Sequence, residues 1–418
     1  MSEDPATAQL KLGRALMARA EPEPALEAFE RALAIRPDDL TAIANRAGAL
    51  LALGRPAEAL ADYDRVLAAR PDLADVHNNR AAALCELGRY EAALAAFDLA
   101  IGLALQDPDA LWNKSLTLLR LGRYQEGWRL YENRKRKREP LGARTYPQPA
   151  WTGAEPLAGR TVFLHWEQGF GDTLQFIRYA PELARRGARV AVSVQEPLVR
   201  LLKQLEPEIA VLGPHQRPAE FDYHAPLMSL PLAFGTRLET IPASPRLAPE
   251  PALAFAWAER LGPPGKPRVG LAWRGSPGHV HDRGRSIPLG MLKPLIAPEA
   301  DWISLQKDVS EIERESLATF RIRDVADALT DFAETAALIG GLDLVITVDT
   351  AVAHLAGVMG KPVWILLPFN PDWRWLVGRN DSPWHPSARL FRQPAPGDWE
   401  AAIDSVRQAL AEAFGPAG

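Results

Sequence analysis

Two short segments carry residues whose types and spacing could perform group transfer. The first is Gly169-Phe170-Gly171-Asp172, placed after an apolar run and before a helical pattern. Glycines at such a corner let a ligand approach the backbone, and the helix start offers unpaired N–H groups. Asp172 reads either as a plain N-cap or as the carboxylate that takes a proton from an attacking hydroxyl, with Glu167 and His165 behind it. The second segment is Asp349-Thr350-Ala351-Val352-Ala353-His354-Leu355-Ala356, again at a strand-to-helix corner. It reads either as a capped and packed helix with a core histidine, or as an anion site. In the second case the first-turn amides and the Thr350 hydroxyl face a diphosphate, and His354 points the same way one turn on.

Three further stretches add polar and aromatic groups. Trp273-Arg274-Gly275-Ser276, followed by Asp282, Arg283, Arg285 and Ser286, supplies guanidinium groups suited to phosphate, or is a solvated loop. Gln306 and Lys307 stand at the tip of a strand pattern. Phe369 to Trp375 (FNPDWRW) and Trp384 form an aromatic and arginine cluster in which Trp373 is a ligand-contact candidate, while Trp364 and Trp375 read as core.

Missing patterns narrow the chemistry. Leu174 stands where a dinucleotide fingerprint would have its third glycine, so a nicotinamide enzyme is not expected. Asp-x-Asp pairs occur only at Asp62/Asp64 and Asp107/Asp109, in the N-terminal region, and His279-x-His281-Asp282 lacks a further ligand. No metal or other cofactor is therefore expected, and helix dipoles and arginines must meet the leaving-group charge. Gly-x-Ser-x-Gly, P-loop and His-Glu-x-x-His patterns are absent as well.

These segments need elements to position them. Thr161 to His165, Arg189 to Val194 and Ile209 to Leu212 read as buried strands, with a helix over Thr173 to Arg186. The alternation restarts with strands at Arg268 to Trp273, Asp301 to Leu305, Leu344 to Val348 and Pro362 to Leu367. Two parallel sheets in tandem are expected, with a ligand cleft between the carboxyl ends of their strands. Ile403, Val406, Leu410 and Phe414 share one face of a closing C-terminal helix.

The N-terminal region differs. Ala20, Gly54, Gly88 and Gly122 fall in register at a period of 34, as do Ala25, Ala59, Ala93 and Gly127, and Phe29, Tyr63, Phe97 and Tyr131. These columns resemble the tetratricopeptide repeat, a pair of antiparallel helices per unit stacked into a superhelix with a concave groove. Asn45, Asn79 and Asn113 share the period on the first helix of each unit. Such a ladder resembles that of O-GlcNAc transferase, where it holds the backbone of an extended polypeptide; alternatively, asparagine is a tolerated polar residue on an exposed face. Ten of the twelve tryptophans lie from Trp151 onward, after a Pro-containing connector, Glu139 to Pro149. The expected division is a repeat domain over 1–140, two Rossmann-like halves over 150–250 and 251–395, and the closing helix over 396–418.

From about Gly159 to Gln393 the chain resembles the heptosyltransferase-like glycosyltransferases of family 9, on Gly171-Asp172 and on Asp349, Thr350, His354, Leu355 and Ala356. The resemblance implies a GT-B fold, with Asp172 as catalytic base and Asp349, Thr350 and His354 on the donor diphosphate. It also implies a basic residue near Arg274 or Arg285, where the family more often has lysine, and contact of the base or ribose with Gln306 or Lys307.

The resulting expectation is an α superhelix followed by an α/β GT-B fold. Its activity would be metal-independent, inverting transfer from a nucleotide sugar to a polypeptide held by the repeats. Two alternatives are an inactive scaffold and a transferase for lipid-linked or lipopolysaccharide acceptors. A net charge of -4 and pI near 6.1 argue against a general nucleic-acid binder. The basic run Arg134 to Arg138 reads as a solvated helix end or a phosphate or membrane contact, and Cys85 as buried filler. Without an apolar leader or a membrane-length span, a cytoplasmic location is expected.

Overall fold

The computed structural model describes residues 4–137, 144–205, 207–263, 265–275 and 282–414. The chain divides into two compact units, Met1–Arg138 with Ala395–Gly397 and Glu139–Pro394 with Asp398–Gly418.

The first unit is four helix pairs. Helices α1 (Pro5–Ala18), α3 (Leu40–Ala52), α5 (Ala74–Glu86) and α7 (Pro108–Arg120) alternate with α2 (Pro22–Ile35), α4 (Pro56–Ala69), α6 (Tyr90–Leu103) and α8 (Tyr124–Tyr131). Asp4, Asp39 and Asp107 cap α1, α3 and α7 by accepting first-turn amides, and proline opens α2 and α4. Ala20, Gly54, Gly88 and Gly122 turn the chain within each pair, with φ of 59°, 72°, 69° and 76°. Ala20 thus holds a left-handed conformation that favours glycine. Phe29, Tyr63, Phe97 and Tyr131 are at most 1% exposed and fill the gaps between helices. A Cβ on Gly127, the last member of the small-residue column, would come within 2.6 Å of Leu119 Cδ2.

Charged pairs join successive repeats, Arg80 meeting Asp64 at 2.6 Å and Lys114 meeting Asp98, while within the second repeat Arg46 holds Asp62 with Nε and Nη2. The basic run is only partly a solvated helix end, since Arg136 is exposed but Arg134 is not. Arg134 is fully buried against Glu132 and the Tyr131 ring, Lys135 pairs with Glu132, Arg136 bonds Asn133, and Lys137 pairs with Asp109 beside Trp112. Arg138 lies outside the described residues. Cys85 is buried as expected, beside the Thr117 hydroxyl.

The second unit contains two parallel sheets. The first sheet, in order β3-β2-β1-β4, comprises β1 (Thr161–His165), β2 (Arg189–Ser193), β3 (Ile209–Leu212) and β4 (Tyr223–Pro226). Helices α9 (Phe170–Phe176), α10 (Tyr179–Arg185) and α11 (Glu196–Leu202) connect its strands, and α12 (Leu230–Ala233) and α13 (Pro251–Leu261) follow. The second sheet, in order β6-β5-β7-β8-β9, comprises β5 (Arg268–Ala272), β6 (Asp301–Ser304), β7 (Leu344–Val348), β8 (Val363–Leu367) and β9 (Ala388–Arg392). Around it lie α14 (Asp282–Arg285), α15 (Glu311–Phe320), α16 (Phe332–Gly340), α17 (Ala351–Met359) and α18 (Trp399–Phe414). Ile403, Val406 and Leu410 of α18 enter the same core as Val269, Leu271 and Ile346 of the second sheet.

The helix expected over Thr173 to Arg186 is two helices, and it starts earlier, at Phe170. Arg178, at the break, is 1% exposed and donates to the carbonyls of Gln175, Pro242 and Trp384. Strands β4 and β9 escape sequence reading because YHAP and ARLFR lack the β-branched runs that mark the others.

Candidate functional site

Both strand-to-helix corners lie at carboxyl ends of central strands, where parallel sheets place ligands. At the first, Asp172 Oδ2 accepts from the Gly169 amide at 2.7 Å, so the expected N-cap is instead a third-position residue reaching back to its cap. Gln195, at the end of β2, supports this corner. Its amide donates to the carbonyls of Gln168 and Gly169 at 2.9 and 3.1 Å and its oxygen accepts from Thr173.

At the second corner, Thr350 is the N-cap residue of α17 but its side chain makes no capping hydrogen bond, its hydroxyl lying 3.1 Å from that of Thr347; Ala351 is the first helical residue. His354 Nδ1 lies 3.0 Å from His385 Nε2, and its ring stacks on Trp375 at 5.2 Å. Burial, with Arg374 nearby, lowers the His354 pKa to about 3, and burial lowers that of His385 as well, so both rings are neutral. Burial and Asp372 push Asp349 up to about 6 against the pull of Arg285 and Arg374. The Trp375 indole N–H, without a hydrogen-bond partner among the described residues, leans toward that carboxylate.

The two corners touch. A Cβ on Gly171 would come within 2.6 Å of His354 Cδ2. Beside this contact Asp172 Oδ1 is ion-paired with Arg374, whose other terminal nitrogen donates to Asp372 at 2.8 Å. Arg374 therefore joins one half of the unit to the other and collects Asp172, Asp372 and the field of Asp349 around one guanidinium. Phe176 of α9 packs on Trp373 and Trp384, and Phe170 on Phe332, extending the docking of the halves.

The remaining candidates are placed as follows. Trp373 is 1% exposed between Phe176, Trp384 and Arg374, so a sugar or base would have to displace protein to stack on it. Trp375 is core as expected, and Trp364 is half-buried under Arg389. Arg274 donates from Nε and Nη2 to Glu313, at 3.0 and 3.1 Å, and Trp273 donates to the same carboxylate at 2.7 Å. Burial raises the Glu313 pKa, but Arg274, the Ser310 amide and Trp273 outweigh it and hold it at about 2. Gln306 accepts from the Arg274 amide, whereas Lys307 is exposed and donates to the Thr330 carbonyl. Arg285, at the end of α14, acts on Asp349 and His354.

His165 is buried against His224 and Tyr146, and Glu167 is 5% exposed. Ser276, His279 and His281 lie outside the described residues. Among the described residues no group of three His, Cys, Asp or Glu is arranged to hold a metal. No described helix is long and apolar enough to cross a membrane.

In the repeats, Asn45 donates to its own Thr41 carbonyl, Asn79 accepts from Asn78, and Asn113 donates to Asn78 at 3.1 Å. Sequence reasoning missed Asn78, Gln195, Glu313, Arg374 and His385. Arg374 alone had a signal, its place in the aromatic segment that Trp373 dominated.

Comparison with known proteins matches two separate stretches of the chain. Residues 10–74, 44–104 and 78–134 match the tetratricopeptide repeat. Residues 304–367 match glycosyltransferase family 9 (heptosyltransferase), a stretch that holds Gln306, Lys307, Asp349, Thr350, Ala351 and His354 but neither Asp172 nor Arg374. The chain is 27% identical over 315 residues to Protein FlbA of Caulobacter vibrioides, an alignment covering 68% of this chain and 52% of that protein. It thus spans about half the length of this curated relative. Solved structures similar to part of the chain include a thermophilic tetratricopeptide-repeat protein of Thermus thermophilus, at 23% identity and TM-score 0.31, covering 32% of this chain and 74% of that one. Another is the second such domain of human RPAP3 in complex with an HSP70 peptide, at 22% identity and TM-score 0.26, covering 27% and 93%.

Proposed function

We propose that this chain, in which tetratricopeptide repeats are joined to a domain similar to glycosyltransferase family 9, is a metal-independent inverting glycosyltransferase acting on a polypeptide. One observation carries the reading: Asp172 from one strand-to-helix corner and Asp349 and His354 from the other converge around Arg374. A transfer of this kind needs a carboxylate for the acceptor proton and a polar cradle for the departing phosphates within one site. The acceptor hydroxyl gives its proton to Asp172 as its oxygen forms a bond to the anomeric carbon. The bond from that carbon to phosphate oxygen breaks, and the nucleoside diphosphate leaves with the electron pair. The start of α17, with Arg285 and Arg374 nearby, supports the charge that develops on the leaving group.

The repeats would hold the acceptor along the Asn45, Asn79 and Asn113 face, and the whole reaction would proceed in the cytoplasm without a metal. A second reading, an inactive scaffold, is favoured by the ion pairs that occupy Asp172 and Arg274. Calorimetry with uridine, guanosine, adenosine and cytidine mono- and diphosphates separates the two, because a scaffold binds none of them. Mass spectrometry of a co-purified acceptor then tests the base. Asp172→Asn should lower transfer by about 10²–10⁴-fold while nucleotide binding persists. Undiminished glycosylation would refute the assignment.

A further inference from the structure

The oxygen of Asp172 that would receive the acceptor proton is the one that Arg374 holds. Its partner oxygen, Oδ2, is committed to the Gly169 amide at 2.7 Å and fixes the carboxylate's orientation at the head of α9. Oδ1 faces Arg374, with the two side chains 15% and 11% exposed, so water competes little for either. An acceptor hydroxyl and Arg374 are therefore rival partners for one atom.

Arg374 is anchored so that only one arm must move. Asp372 Oδ1 accepts from the Arg374 amide at 3.0 Å and from Nη1 at 2.8 Å, which pins the backbone and one edge of the guanidinium. The face of the group lies over the Trp373 ring at 4.4 Å. The remaining arm, Nη2, crosses to Asp172 in the other half. The same guanidinium acts on Asp349 and His354 at the start of α17. A diphosphate arriving there brings more negative charge than a single carboxylate and a better acceptor geometry for an arginine.

We propose that Arg374 is a donor-operated latch: the phosphates of a bound nucleotide sugar draw its Nη2 arm off Asp172 and so release the carboxylate for the acceptor hydroxyl. The inference rests on the transferase reading and adds an order to it, donor before acceptor activation. Proton transfer to Asp172 waits until the leaving group is in place.

A double-mutant cycle on the full chain tests it, with nucleoside diphosphates and inorganic pyrophosphate as calorimetric probes. If Asp172 competes with phosphate for Arg374, Asp172→Asn removes the competitor and tightens diphosphate binding by about three- to tenfold. Arg374→Gln weakens binding, Arg374→Lys restores part of it, and Asp172→Asn has no further effect once Arg374 is replaced. Circular dichroism of each variant confirms that it is folded. Unchanged or weaker binding by Asp172→Asn, with a wild-type chain that binds, overturns the latch and leaves the transferase reading intact. A wild-type chain that binds none of the diphosphates removes both.

Discussion

Gly171→Ala gives a sign that depends on whether the two corners touch. Gly171 sits in the first turn of α9, where alanine is intrinsically favoured over glycine by at most about 1 kcal/mol. On helix propensity alone the variant would therefore be more stable. In the folded chain the new Cβ would come within 2.6 Å of His354 Cδ2 and 3.3 Å of Nε2. Carbon atoms in good contact lie about 3.5–4.0 Å apart, so close to 1 Å of overlap must be relieved. The His354 ring cannot easily yield, being bonded to His385 at 3.0 Å and stacked on Trp375 at 5.2 Å. Relief must come from separating α9 and α17, which also strains the Asp172–Arg374 pair and the packing of Phe176 on Trp373. Overpacking costs about 1–3 kcal/mol, and an overlap this close against a fixed ring falls in the upper part of that range, about 2–3 kcal/mol; less about 1 kcal/mol of helix propensity, the net loss is about 1–2 kcal/mol. For a unit of this size that lowers Tm by about 2–8 °C. Calorimetric unfolding measures it, and amide exchange in residues 170–176 and 351–359 should rise together. A variant with unchanged or higher Tm would refute the docking of the halves, and with it the common site.

Further perturbations address other parts of the chain. Ala20→Gly should stabilise the first repeat by about 0.5–1 kcal/mol, because the residue holds φ 59° where Gly54, Gly88 and Gly122 stand in the later turns; slower amide exchange in α1 and α2 would report it. Acidification should destabilise the second unit. His354 and His385 stay neutral when folded but take protons when unfolded below about pH 6.5, whereas Asp349 takes one when folded as pH falls through about 6. Two losses against one gain leave stability falling as the pH drops below about 6, a fall that His385→Asn should flatten in denaturant titrations. Glu313→Ala should cost about 2–3 kcal/mol, since it strips Arg274 and the Trp273 indole of their shared partner, and differential scanning calorimetry measures that loss.

Periodicity made the repeats legible from residues alone, because each unit repeats one local solution. The turn, the small-residue column and the aromatic column recur every 34 residues and refer only to neighbouring helices. Most strands of the second unit were equally readable, since runs such as LVITV and RVAVSV must be buried on both faces of a parallel sheet. The two corners were visible as well, as glycine or hydroxyl residues between a strand and a helix. The partners of their side chains were not. Asp172 and Arg374 are 202 positions apart, and His354 meets a histidine in a loop 31 residues on. Pairings of that reach carry no local pattern, because a guanidinium chooses among nearby carboxylates only after packing has excluded water and set the distances. Residue types and local spacing thus determined the elements and the chemical groups they carry, whereas only the folded chain decided that α9 lies against α17 and that Arg374 closes on Asp172.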